Sequence, residues 1–407
     1  MTIRKKPKLL VLTSTFSRGI NDGSPSFVFE LCRRLTDSFD IHVVMPHSAG
    51  AKREEEIAGI HITRFRYSFT KYQQLIGTSG ILPSLSLHPW RYLLIPFFIL
   101  GQLTTALRLL KKHDYCAIHA HWLIPQGFVA VVARLLLRSS VPVVCTSHGS
   151  DIFALKGGIF DAVRRFVLTR TDIVTFVSHA LREKALSSLG HFPKTEIIPM
   201  GVALEHEFVP SDAPRQNGQI LFVGRLIQEK GVQYLIRALP ELIRIHPDIS
   251  LIIVGTGPYE TALQEEATAL KVDHCVTFLG PLKHGALPEL YQFSTVFVLP
   301  SLSEGFGLVL VEAMGCECPV IATDLPAIRD IVKDGKTGLL FRPKSATDLA
   351  DKITYLLDND EIRHDLGHSG RNYVCGRYDW KIIADRYALL IEGLDVSSHH
   401  DVSSNNS

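Results

Sequence analysis

At 407 residues the chain is longer than one ordinary core, and two domains are expected. Hydrophobic residues make up 46% and charged residues 21%, a globular composition that excludes a disordered chain. The formal net charge is +2 and no stripe of Lys and Arg interleaves with aromatics, so nucleic acid is not an expected partner. The seven cysteines are scattered and odd in number, and they read as free buried thiols of a reducing cytoplasm. Cys316 and Cys318 are close, but no second pair or histidine cluster completes a zinc site.

The N-terminus is basic (Arg4, Lys5, Lys6, Lys8), but its apolar run covers only residues 9–12. That is too short for a signal-peptide core and reads as a first strand over residues 8–13. A loop containing Gly19 and Gly23 follows, then Ser24 as N-cap, Pro25 in the first turn and a helix over residues 26–35. A second strand is expected at 41–45. The order strand, glycine loop, helix, strand opens a doubly wound domain, without the three-glycine fingerprint of dinucleotide binding. Residues 47–59 are charged and loop-like, 60–65 form a strand, and 66–89 are irregular.

Residues 92–107 carry no charge and lie between Arg91 and the basic Arg108, Lys111 and Lys112. The run falls short of a transmembrane helix. It reads either as a buried helix or as an amphipathic segment resting on a membrane surface with a basic rim. A strand over 116–120 leads into His119-Ala-His121-Trp122, and one over 141–146 ends in Ser147-His148-Gly149-Ser150-Asp151. Both histidine clusters fall at the C-terminal end of a strand, on one edge of the sheet. His119 and His121 are read as pointing to opposite sides of a strand, a poor fit to a metal. His148, in a polar Gly-flanked loop, is placed to touch a ligand. A strand over 173–177, a helix over 180–189 capped by Ser178 and a short strand at 197–198 complete this half. Residues 203–218, rich in Glu, Pro, Asp, Asn and Gly, mark a linker.

The second half restarts with strands over 219–223, 250–254, 275–279, 296–299 and 320–322, each followed by a helical stretch, and a last short strand at 338–341. This alternation makes a second parallel sheet. The domains are expected at 1–205 and 206–376, with a helix over 377–394 crossing back to the first domain and a disordered tail at 395–407. The chain converges on Pro300-Ser-Leu-Ser-Glu304-Gly305-Phe306-Gly307, which ends a buried strand and opens a helix over 308–314. Ligands of open α/β sheets bind at that edge, and a helix start suits a phosphate. Glu304 and Glu312 are eight residues apart, about 12 Å if all were helical. Glu304 could accept hydrogen bonds from a sugar and Glu312 from ribose hydroxyls. Arg225 and Lys230, after a strand and Gly224, suit a diphosphate.

These features resemble the family 4 retaining glycosyltransferases over nearly the whole chain, about residues 8–393. The resemblance is densest in Gly224-Arg-Leu-Ile-Gln-Glu-Lys-Gly231, in Val254-Gly-Thr-Gly-Pro258, from Pro300 to Gly315, and in Pro319-Val-Ile-Ala-Thr323. It implies the GT-B fold, α/β with two doubly wound Rossmann-like domains facing across a cleft. It implies that Arg225 and Lys230 bind the donor diphosphate. Glu304, with the backbone of Gly305, Phe306 and Gly307 opening the helix at Leu308, holds the donor sugar and its phosphate, and Glu312 binds the ribose. His148 contacts the sugar near the reaction centre, Asp151 of the same stretch lies in the substrate site, and Gly19 to Gly23 form the loop near diphosphate and acceptor. The expected activity is transfer from a nucleotide diphosphate sugar to a carbohydrate or lipid-linked sugar acceptor. No cofactor or metal is implied. The setting is the cytoplasm, with peripheral contact at the inner face of the membrane. A nucleotide-sugar epimerase of the same fold and a non-catalytic sugar-nucleotide-binding partner are the competing readings. The separation of Gly19 from Gly23 departs from the adjacent glycines common in the family, and Met200 stands where Asn is frequent.

Overall fold

The computed structural model describes residues 6–16, 27–69, 73, 75, 81, 84–85, 88–153, 157–190, 192 and 194–403. The loop with Gly19 and Gly23, the Ser24–Pro25 helix start and residues 404–407 of the expected tail lie outside them. The chain divides into two compact units, residues 1–199 with 383–407, and residues 200–382.

The first unit is built on an eight-stranded sheet of order β3-β4-β2-β1-β5-β6-β7-β8. Its strands are β1 (Lys8–Leu12), β2 (Asp40–Pro46), β3 (Glu54–Ile57), β4 (Ile60–Phe65), β5 (Ala117–His121), β6 (Val143–Ser147), β7 (Ile173–Phe176) and β8 (Thr195–Ile197). All pairs are parallel except β3 with β4. The central strands β1, β5 and β6 are buried on both faces, as a sheet covered by crossover helices requires.

Strand β3 corrects the reading of 47–59 as loop. Its Glu54 and Glu56 are exposed, while Glu55 pairs with Arg64, whose side chain is fully buried on β4. A run of glutamates suits an edge strand, where charge discourages pairing with another chain. A second correction concerns β5. His119 and His121 both lie within the strand and share one face, with ring centroids 4.2 Å apart. Residues i and i+2 of a strand point to the same side. Among the described residues no group of three or more His, Cys, Asp or Glu is arranged to hold a metal ion.

The apolar run after residue 89 forms a 3-10 turn, Pro89–Leu94, and a helix, Ile95–Lys112. Together they make 24 residues, longer than the sixteen-residue run, and enough by length and composition to cross a membrane. One face is nevertheless packed into the unit. Phe98 lies edge-on to Phe65 and Tyr67, and fully buried Gln102 donates to the Thr13 carbonyl. The other face leaves Tyr92, Leu93, Phe97 and Leu100 more than half exposed. The segment is therefore neither wholly buried nor free of the fold.

The second unit holds a six-stranded, wholly parallel sheet of order β11-β10-β9-β12-β13-β14. Its strands are β9 (Gln216–Val223), β10 (Ser250–Val254), β11 (Val276–Gly280), β12 (Ser294–Leu299), β13 (Val320–Thr323) and β14 (Leu339–Phe341). Strand β9 begins inside the stretch read as linker. Every residue of β12 is buried, and the helix Leu308–Gly315 follows it.

The last helix, Trp380–Ser403, runs through nine residues of the expected disordered tail. No glycine or proline after Gly393 stops it, and each added residue gains one hydrogen bond once a helix is started. From Ile383 onward it belongs to the first unit. There Arg386 donates to the Ile197 carbonyl, and the Tyr387 hydroxyl lies 3.2 Å from Thr146 and 3.3 Å from Thr175.

Candidate active site

In the second unit, three segments meet at the C-terminal ends of β9, β10 and β12. Leu302 N–H donates to the Glu229 carbonyl, which draws the loop after β12 onto the loop after β9. Gly231 permits that approach. Its φ is +71°, and a Cβ there would lie 1.9 Å from the Pro300 carbonyl oxygen. Gly255 plays the same part after β10, with φ +131° and a Cβ position 1.8 Å from the Gly224 carbonyl oxygen. Gly231 and Gly255 are thus required by backbone contacts between loops.

This packing brings together two of the expected residues. Lys230 forms an ion pair with Glu304, and Ser301 Oγ donates to the same carboxylate at 2.8 Å. The Glu304 side chain is 9% exposed and that of Lys230 20%, so the pair sits at a rim and not in bulk water. Arg225 is exposed, and its guanidinium has no partner among the described residues. The Phe306 ring is buried against Tyr378 at 5.6 Å, so the Gly305-Phe306-Gly307 turn presents backbone where it opens the helix Leu308–Gly315. Leu308, the first helical residue, is partly exposed.

Glu312 has a different environment. It is 2% exposed and accepts from Tyr291 Oη at 3.0 Å and from His284 Nε2 at 2.9 Å. The other ring nitrogen of His284 lies 3.3 Å from Glu207. Burial disfavours a charged imidazole, but the hydrogen bonds and charges of Glu207 and Glu312 outweigh it and raise the pKa to about 9. His284 is therefore a cation at neutral pH, held between two carboxylates. Sequence reasoning missed it. The residue lies about thirty positions before Glu312, in a turn with no spacing signal.

In the first unit, β6 delivers His148 at its C-terminal end. Its ring packs between Phe27 and Trp122, with centroids at 4.5 and 4.9 Å. His148 Nε2 and His121 Nδ1 are 3.1 Å apart, with the rings nearly parallel. Burial lowers the pKa of His148 and of His119 to about 3, and that of His121 well below its ordinary value. All three imidazoles are neutral at physiological pH, so His148 offers a hydrogen bond and no charge. Asp151, also expected in the site, directs its carboxylate into the protein. It accepts from Leu123 N–H at 2.8 Å, Ser147 Oγ at 2.9 Å and Gly149 N–H at 3.1 Å. It braces the loop that carries His148. Arg164 donates to its carbonyl, which ties a following helix to the same loop.

Residues 21–206 match the Glycosyltransferase Family 4 model, and residues 205–373 match the Glycosyl transferases group 1 model. The chain is 30% identical over 307 residues to the GDP-mannose-dependent alpha-(1-6)-phosphatidylinositol monomannoside mannosyltransferase of Mycobacterium tuberculosis, covering 71% of this chain and 79% of that one.

The chain is a family 4 glycosyltransferase.

A glycosyltransferase of Methanocaldococcus jannaschii is 31% identical over 265 residues, 65% of this enzyme and 71% of its relative. The N-acetyl-alpha-D-glucosaminyl L-malate synthase of Bacillus anthracis is 26% identical, covering 69% and 75%. Among solved structures, the sucrose-phosphate synthase of Thermosynechococcus elongatus superposes with a TM-score of 0.78 at 21% identity, covering 96% and 100%. The Anabaena protein HepE in complex with UDP gives 0.73 at 20%, covering 95% and 100%. These likenesses establish the fold, which is GT-B, as the motif resemblance implied. The glycosyltransferase has two α/β units with parallel sheets.

Proposed function

We propose that this glycosyltransferase moves a sugar from a nucleotide diphosphate sugar to an acceptor hydroxyl, with retention of anomeric configuration, in glycolipid or cell-surface polysaccharide synthesis. The observation that carries the reading is the convergence of Lys230, Glu304 and the glycine turn at the end of β12, with the exposed Arg225 on the same loop as Lys230. Two cations and the N–H groups at a helix start stabilise the negative charge that develops on a departing diphosphate. On this reading no metal is needed for that task. Glu304 takes hydroxyls of the donor sugar. Glu312 takes the ribose, since a carboxylate has about four lone-pair sites and His284 and Tyr291 fill two. His148 meets the sugar as a neutral hydrogen-bonding group. Retention follows the family resemblance.

The mycobacterial relative, named for GDP-mannose and a phosphatidylinositol mannoside, supports a mannosyl donor and a lipid-linked acceptor. The exposed apolar residues Tyr92, Leu93, Phe97 and Leu100, on the segment that ends in Lys111 and Lys112, support peripheral contact with the cytoplasmic face of a membrane. The test is a thermal-shift screen of GDP-, UDP- and ADP-sugars, repeated with EDTA. A specific donor raises the melting temperature, and chelation leaves the rise intact. Product analysis by NMR then reads the anomer. Donor turnover to an epimer without acceptor would overturn the transferase reading. Flotation with anionic liposomes no better than a soluble control would remove the membrane contact.

A further inference from the structure

His121 belongs to no motif quoted for the donor site, yet it makes the direct hydrogen bond to His148. The contact is Nδ1 of His121 to Nε2 of His148 at 3.1 Å. Since both rings are neutral, one of these nitrogens carries the proton and the other accepts it. The two remaining nitrogens, His121 Nε2 and His148 Nδ1, are buried atoms without a partner among the described residues.

Two tautomer pairs are available. If His148 donates, His121 carries its proton on Nε2. The unmatched N–H then lies on a residue that is 1% exposed. If His121 donates from Nδ1, the unmatched N–H lies on Nδ1 of His148, whose residue is partly exposed at the end of β6. Both are buried atoms, but only the N–H of His148, on the residue at the end of the strand, stands where a bound ligand can supply an acceptor, so the second pair is favoured.

The ring of His121 is itself held. It packs against the tilted ring of His119 at 4.2 Å, and His119 Nε2 lies 2.8 Å from Thr146 Oγ1. Thr146 in turn meets Thr175 at 2.6 Å and the Tyr387 hydroxyl at 3.2 Å. A polar chain therefore runs from the last helix, across β7, β6 and β5, to the histidine at the site.

We propose that His121 is a positioning residue that donates its Nδ1–H to His148 Nε2 and so fixes His148 as the Nδ1–H tautomer, a donor toward an oxygen of the sugar substrate. Both the tautomer and the part concerning the sugar rest on the functional reading above.

The experiment has two arms. In the first, the wild-type protein labelled with 15N-histidine is observed by NMR with GDP-mannose or UDP-glucose bound, and His148→Ala assigns the His148 signals. The expected result is a protonated Nδ1 and an unprotonated Nε2 on His148. The reverse tautomer overturns the proposal, and this arm needs no folded His121 variant. In the second, nucleotide release is followed with whichever of GDP-mannose and UDP-glucose gives the larger thermal shift. His121→Leu is expected to lower kcat about ten- to a hundredfold with the donor KM within about threefold. His121→Asn, which returns an N–H near the Nδ1 position, is expected to recover most of the loss. Wild-type kcat in His121→Leu overturns the proposal, and so does an equal loss in both variants. If His148→Ala keeps full turnover, the functional reading of His148 fails, while the tautomer arm still decides what His121 does.

Discussion

Replacing His284 by Gln tests the cation between Glu207 and Glu312. The ring has an ordinary pKa of 6.5 and is raised to about 9 in the folded chain. At about 1.36 kcal/mol per unit, the difference corresponds to about 3 kcal/mol. The side chain is 21% exposed, so about 2–3 kcal/mol is the working range. The sign follows from linkage. A group with a raised folded pKa contributes fully below its unfolded value, and the contribution is lost as pH rises through the folded value. The stabilisation is therefore complete below about pH 6.5 and fades between there and about pH 9. For a unit of residues 200–382, 1 kcal/mol moves Tm by about 2–4 °C. His284→Gln should lower the second unit's Tm by about 4–12 °C at pH 6, and the gap from wild type should shrink by pH 9.5. Calorimetric scans of the full chain across that range check it. A gap that stays constant or grows with pH would refute the cation between the carboxylates.

The other predictions concern the two loop systems. Arg225→Ala should leave Tm within about 1 °C, because the side chain is exposed, yet weaken nucleotide binding at least about tenfold; a thermal scan reads the first limit and titration calorimetry with GDP and UDP the second. Glu304→Gln keeps the size but loses the charge that pairs with Lys230, and turnover should fall at least a hundredfold with the fold retained by circular dichroism. Asp151→Ala removes an acceptor from three donors and should cost about 2–4 kcal/mol, read as the shift in denaturation midpoint. Gly231→Ala places a methyl group 1.9 Å from the Pro300 carbonyl; donor binding should drop with the loss of the Lys230–Glu304 contact, and an unchanged affinity would show that the loop adjusts freely.

Much of this architecture is legible in the residues because parallel strands buried on both faces read as uninterrupted apolar runs. Residues 9–12 and 296–299 are such runs, and both are strands. Glycine also speaks plainly. Gly231 and Gly255 stand where a side chain would strike a neighbouring backbone, so the dense motifs mark real loop contacts. Strand β3 escapes the same reading because an edge strand has no buried run to show, only Glu54, Glu55 and Glu56. The partners of the candidate site residues were harder to foresee. That His284 and Tyr291 enclose Glu312, or that three donors engage Asp151, depends on which turn packs on which helix. His119 and His121 are a different case. The two-residue period of a strand puts them on one face, and that geometry was available from their spacing alone.

The hydrogen bonds of Tyr387 to Thr146 and Thr175 carry a consequence for synthesis. The first unit consists of residues 1–199 and 383–407, so its closing helix is made only after the whole second unit has been translated. At about 5–20 residues per second, the 183 residues from 200 to 382 occupy the ribosome for about 10–40 seconds. During that interval the eight-stranded sheet waits without the helix that covers Thr146 and Thr175. A nascent chain stalled before Tyr387 is a first unit with an open flank, and the same opening is expected in any protein truncated near residue 380.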